Sequence, residues 1–229
     1  MKRLVIAIII WLLYSISGRV IVSLGYNNFL HGYLSWNLLL SLVALVFSLL
    51  VKGKSKLNLF LLVGWFFMLP NSFYMITDLI HINSRWFYRV NPTVKYIMDG
   101  LPWLRLVHLF VGVFLSVYWG LLSMSHVYRW LRQKMSWYWV EFIFIIIALL
   151  NGVGIFLGRF IRLNSWDMFK PRMVIDILFD TVDGFSIKFI VLFGAMIYGL
   201  FQFYMWHNRF IVKECLDEYQ SKTDQESQE

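Results

Sequence analysis

The chain has 229 residues, of which 59% are hydrophobic, 19% aromatic and only 15% charged. Soluble domains run at about 45–50% apolar with about 25% charged residues, so this composition excludes a disordered chain, a disulfide-built scaffold and an ordinary soluble enzyme. The net charge is +8, but the basic residues flank apolar runs rather than interleaving with aromatics, which excludes nucleic acid as a partner and points to topology signals and anionic-lipid contacts.

The apolar residues resolve into six runs near 4–24, 34–51, 57–80, 104–124, 137–157 and 185–206. Each approaches the roughly 20 residues that a spanning helix needs. The expected fold is all-α, a polytopic transmembrane helix bundle of about six spans. Residues 1–206 form a single transmembrane domain, and 207–229 a polar cytoplasmic tail whose last residues, 223–229, are expected to fray. The tail holds the single cysteine, Cys215, which excludes an internal disulfide and a thiolate metal site.

The first run begins after Lys2 and Arg3, as a signal peptide does, and Ser15-Ile16-Ser17 is a weak cleavage site. The apolar stretch is long, however, and cleavage would strand Arg19 just inside the mature end, so an uncleaved helix is expected. Arg19 lies within snorkelling reach of the outer surface, with pairing to an outer acid as the alternative. Lys2, Arg3, Lys52, Lys54, Lys56, Arg129, Arg132 and Lys134 fall on one side together with the tail, whereas the 25–33 loop has no Lys or Arg. The positive-inside rule then places both termini in the cytoplasm. Trp137, Tyr138 and Trp139 suit an inner aromatic belt, and Trp86, Phe87 and Tyr88 an outer one.

Polar residues inside apolar spans are costly and by default point to function. In the third span Pro70 lacks an N–H and should break the helix, leaving carbonyls near Phe66 in need of partners. Beyond the break, Asn71, Tyr74, Asp78, His81 and Arg85 stand at offsets 0, 3, 7, 10 and 14. At about 100° per residue they share one face, a polar stripe climbing to the outer surface. A plain kink with capping residues is the competing reading. Asp78 and His81, three residues apart, can reach one proton-transfer partner or one metal ion, though two ligands do not define a metal site. In the fourth span His108 lies near the outer end, with Gly112, Ser116 and Trp119 on about the same face; a structural histidine is the alternative.

The fifth span ends in Asn151 and the segment Gly154–Asp167, where Asn151, Gly154, Gly158 and Arg162 share a face. The glycines suit close helix packing. Arg159 and Arg162 sit at the outer end, where topology gives them no purpose. They can pair with Asp78 and Asp167, hold an anionic group, or snorkel to headgroups. Pro171 suits a helix start. Asp176, Asp180 and Asp183 then line one side of a short amphipathic helix with Ile175, Leu178, Phe179 and Val182 as its apolar residues, expected along the outer membrane surface.

Two segments carry a resemblance. Leu69-Pro70-Asn71-Ser72-Phe73-Tyr74 leading to Thr77-Asp78-Leu79-Ile80-His81 resembles the signature LPNxxYxxTDLxH, and 154–167 resembles GxxLGRFxRxNSWD. Both belong to the bacterial multi-pass membrane proteins of the domain-of-unknown-function family 1361. The resemblance extends from the second span to the sixth. The chain departs from the pattern at Ser72-Phe73, where Ala-Pro is expected. It implies a bacterial cytoplasmic-membrane protein and supplies no catalytic assignment.

The chain contains no Walker loop, Gly-x-Ser-x-Gly elbow, His-Glu-x-x-His or EF-hand loop, which argues against energy from bound nucleotide. Three functions fit the pattern. The first is an outward-facing site that binds or processes a small anionic or lipid-linked ligand. In it Asp78, His81 and Asp167 serve in acid–base work, and Asn71, Tyr74, Arg159, Arg162, Asn164 and Trp166 contact the ligand. The second is a small transporter or permease, favoured by the broken third helix and opposed by sparse polar residues on the cytoplasmic half. The third is a non-catalytic subunit of a membrane complex, with the polar cluster as a buried network fixing helix register.

Overall fold

A computed structural model describes residues 2–24, 30–163, 167 and 170–226. Helix α1 covers Lys2–Ser23, α2 Leu30–Leu50, α3 Leu57–Met68, α4 Pro70–Tyr74, α5 Gly100–Arg132, α6 Trp137–Phe156, α7 Pro171–Thr181 and α8 Gly184–Glu226. Among the described residues, six stretches are long and apolar enough to cross a membrane: Leu4–Ser23, Gly32–Leu50, Leu57–His81, Gly100–Arg132, Trp137–Ile161 and Gly184–Phe210. This is the makeup of a multi-pass membrane protein, and the expected all-α bundle is the fold observed.

The third span holds two irregularities. Its α-helical bonding pauses at Leu69, between α3 and α4, because Pro70 has no N–H to donate. The backbone nevertheless stays helical at Leu69, with φ −58° and ψ −40°, so the break is a local tightening rather than a sharp bend. The Asn71 side-chain amide donates to Met68 O at 3.0 Å and relieves one carbonyl beside it. From Met75 to His81 the chain then winds as a 3₁₀ helix, at about 120° per residue instead of 100°.

Between the third span and α5, a short 3₁₀ turn, Ser84–Trp86, leads into a hairpin. Strand β1, Tyr88–Val90, pairs antiparallel with β2, Val94–Tyr96, in the register Tyr88–Tyr96, Arg89–Lys95 and Val90–Val94. We call this side of the bundle the hairpin end and the opposite side, with the 51–56 and 133–136 turns, the basic end. At the basic end Gly53 adopts φ +53°, a left-handed conformation that glycine takes without penalty. The buried Asn58 side chain closes that turn, donating to Lys52 O at 3.0 Å and accepting from Lys52 N at 3.2 Å.

The core falls into two groups. One joins α1, α2 and α5 through Tyr14, Leu34, Leu38, Leu109 and Trp119. The other joins the third span to α5, α6 and α8 through Trp65, Leu69, Phe73, Met124, Phe144 and Phe201. Lipid offers no hydrophobic drive between helices, so close approach over small residues must supply the contact. The third span is seated this way on both sides. A Cβ at Gly120 of α5 would stand 2.6 Å from Ser72 Cβ, and one at Gly154 of α6 would stand 2.9 Å from Pro70 Cγ.

Helix α7 forms as expected, starting at Pro171. It ends at Thr181, short of the expected Val182 and Asp183, because the backbone turns extended at Val182. Ile175 and Phe179 are its exposed apolar residues, while Leu178 is half-buried. Asp183 opens α8 as a reciprocal cap. Its Oδ1 accepts from Ser186 N at 2.8 Å, and Ser186 Oγ accepts from Asp183 N at 2.7 Å. Helix α8 does not end near 206 but continues to Glu226. No glycine or proline follows Gly199, so nothing in the tail interrupts helical bonding.

Candidate functional site

The polar residues at the hairpin end converge on one arginine. Helix α6 loosens into a π-turn over Leu157–Ile161, closed by Leu163 N donating to Leu157 O at 3.2 Å. π-Turns recur at functional sites. Arg159 lies in the middle of this turn. Gly158 beside it lets α6 come against the Tyr74 ring, since a Cβ there would stand 3.2 Å from Tyr74 Cε2.

The Arg159 guanidinium meets three groups of the third span. Its Nη2 donates to Asp78 Oδ1 at 2.5 Å. Its Nε and Nη2 both donate to Thr77 Oγ1, at 2.8 and 2.5 Å. Its Cζ stands 4.5 Å from the centroid of the Tyr74 ring, a cation–π contact. Thr77 Oγ1 itself donates to Tyr74 O at 2.6 Å, which orients its lone pairs toward the arginine. The pair is withdrawn from solvent, with side-chain exposures of 14% for Arg159 and 7% for Asp78. A charge-assisted bond in such surroundings holds the guanidinium in one orientation.

A second cluster adjoins the first from α1 and α5. The Tyr14 hydroxyl donates to His108 O at 3.2 Å, and His108 Nε2 lies 3.3 Å from Tyr14 O. The two rings stack with centroids 4.1 Å apart. Gly112 makes room, because a Cβ there would overlap the Tyr14 hydroxyl. The Asp78 charge acts on Tyr14 across this boundary.

The expected residues are thus distributed as follows. Tyr74, Asp78 and Arg159 come together, and Thr77 joins them. Asn71 is half-buried and turned back on Met68 O. His81 is exposed, one 3₁₀ turn beyond Asp78 and outside the buried part. Arg85 is exposed beyond Ile82, where the backbone becomes extended and the polar stripe stops. Arg162 is exposed and adopts φ 63°, a left-handed conformation that costs a non-glycine residue on the order of 1–2 kcal/mol. Its charge, like those of Arg159 and Asp78, reaches Tyr74. Asp167 is half-buried. Asn164 and Trp166 lie outside the described residues. Among the described residues no three His, Cys, Asp or Glu side chains group as a metal site.

Both motif segments are therefore two halves of one contact. A family model described as "Protein of unknown function (DUF1361)" matches residues 36–200. The chain belongs to the DUF1361 family. The matched span contains every member of the Arg159 cluster but not Tyr14, which α1 adds from outside it. No curated protein and no solved structure matches the chain.

The basic end of this DUF1361 protein holds a cluster that the sequence reading did not find. Glu141, one turn into α6, accepts from Tyr128 Oη of α5 at 2.8 Å, from Tyr198 Oη of α8 at 2.8 Å and from Gln202 Nε2 of α8 at 2.7 Å. These contacts give the basic end a half-buried polar cluster of its own. The available signals were a lone carboxylate inside an apolar run and the i, i+4 pair Tyr198–Gln202.

Proposed function

We propose that this DUF1361 protein lies in the bacterial cytoplasmic membrane with both termini in the cytoplasm, and that its hairpin end binds or processes a small anionic or lipid-linked ligand. The observation that carries the reading is the orientation of Arg159 by Thr77, Asp78 and Tyr74, with Arg162 exposed beside it. An ionisable pair inside a span is expensive and by default functional. Asp78 neutralises and aims Arg159, and Arg162 is the cation that meets the ligand from solvent. His81 on the rim and Asp167 are the proposed proton-transfer groups. The concentration of Lys and Arg at the basic end supports the orientation.

The test is binding by the purified protein to phosphatidylglycerol vesicles, phosphatidylcholine vesicles and inorganic phosphate. Preference for one of the two phosphate-bearing anions over phosphatidylcholine, weakened about tenfold by Arg162→Ala (roughly 1.4 kcal/mol), is expected. Equal binding to all three probes, unchanged by the substitution, would overturn the reading. A second reading, a non-catalytic subunit of a membrane complex, draws on the pairing of Arg159 within the chain. Co-purification of a stoichiometric partner lost on Asp78→Asn would favour it.

A further inference from the structure

Asn151 is fully buried on α6, and among the described residues nothing donates to its Oδ1. Its Nδ2 donates to Ile147 O at 2.7 Å, which leaves the amide oxygen directed away from its own helix. A buried polar atom in this state calls for a partner that is not protein.

The position of Asn151 identifies what lies opposite. Residues 147, 151, 154 and 158 of α6 stand at offsets 0, 4, 7 and 11, one face of the helix. Ile147 shares an apolar groove with Phe66. Gly154 abuts Pro70, and Gly158 abuts Tyr74. Asn151 therefore faces the turn of the third span between Phe66 and Pro70. In that turn Pro70 cannot supply the N–H that the Phe66 carbonyl would receive in an unbroken helix. Two acceptors stand at one level, and neither can satisfy the other.

We infer that one buried water molecule is bound between α6 and the proline break, donating one hydrogen to Asn151 Oδ1 and the other to the Phe66 carbonyl. Water at such breaks restores the interrupted backbone bonding. A cation would bridge two acceptors as well, but the carboxylates that could balance it are distant. Glu141 lies ten residues down α6 and Asp78 is bound at Arg159, eight residues up, about 15 Å and 12 Å along the axis. An uncompensated ion at mid-span is costly; a neutral donor is not. The water fixes the direction in which the 70–81 segment leaves the break, and so the aim of Asp78.

Two measurements test this. In wild-type protein in deuterated lipid, water-edited NMR should show transfer from water to the Asn151 side-chain amide; no transfer would overturn the inference, whatever the variants do. In unfolding titrations, Asn151→Leu should raise the unfolding constant on the order of tenfold, because it expels a satisfied water and strands the Phe66 carbonyl. In a Pro70→Ala background, where residue 70 regains its N–H, the same substitution should have a clearly smaller effect. A leucine variant as stable as wild type, or an equal loss in both backgrounds, would show a dry, unlinked amide and overturn the proposal.

Discussion

Arg159 donates to Asp78 at 2.5 Å from 81 positions further along the chain, and the two residues belong to the two segments that carry the family's motifs. Neither charge is tolerable alone at this depth. Removing one partner of a buried pair costs about 3–5 kcal/mol, whereas replacing both by apolar residues can be near neutral. Asp78→Ala and Arg159→Ala should each destabilise strongly, and Asp78→Leu combined with Arg159→Met should recover most of the loss. Denaturant unfolding of the purified variants checks this. A double variant that is stable but no longer binds anions separates the ligand role from the structural one.

The glycines beside the break set a second expectation. Gly154→Ala should destabilise by about 1–3 kcal/mol, since its Cβ would press on Pro70. Gly199→Ala on α8 meets nothing within 4 Å and should gain about 0.5–1 kcal/mol from helix propensity. Opposite shifts in melting temperature for two identical substitutions are the readout.

Glu141 anchors α8 to α5 and α6. Glu141→Ala leaves two phenols and an amide without their acceptor and should cost about 2–3 kcal/mol, while Tyr198→Phe should cost about 1 kcal/mol. If the two substitutions act through the one carboxylate, their combined effect will be less than the sum.

The spans were legible because lipid demands long apolar helices, and hydropathy records that demand residue by residue. Asp78 and Arg159 were legible as unusual charges and as candidate partners, one of three readings of the outer arginines, but the geometry of the pair was not. Their meeting depends on a 3₁₀ stretch and a π-turn, and neither leaves a period in the sequence. An α-helical spacing of 100° per residue overlooked Thr77, which the 3₁₀ winding that begins at Met75 brings to Arg159. His81 keeps its place above Asp78 in either winding but lies one turn further out, where it is exposed. Glu141 was hidden among Trp137, Tyr138 and Trp139, whose aromatic character suggested only a belt. The hairpin went unread, although Asn91-Pro92 is a turn signal between two short alternating runs.

The Asp183 carboxyl is held below its ordinary range, first by the hydrogen bond from Ser186 N and then by the Ser186 side chain. A lowered folded pKa means that the ionised cap stabilises α8 fully above the ordinary carboxylate value of about 3.9. That contribution is lost as the pH falls through the lower folded value. Stability profiles of wild type and Asp183→Asn should separate above about pH 3.9 and converge as the pH falls through the lowered folded value; parallel curves would exclude the cap as the cause.

Topology has a direct check in the sole cysteine, Cys215. In intact cells a membrane-impermeant maleimide should leave it unlabelled and should modify it after permeabilisation. Labelling without permeabilisation would reverse the proposed orientation.

Helix α6 carries Glu141 and Arg159 18 residues apart, one locked to α5 and α8 and the other to the third span. That separation is about 27 Å along the axis, close to the roughly 30 Å hydrocarbon thickness of a bilayer. An ordinary spanning helix meets a thicker or thinner membrane by tilting. This one is pinned to its neighbours at two points that far apart, so a change in lipid chain length must instead strain one of its two polar anchors.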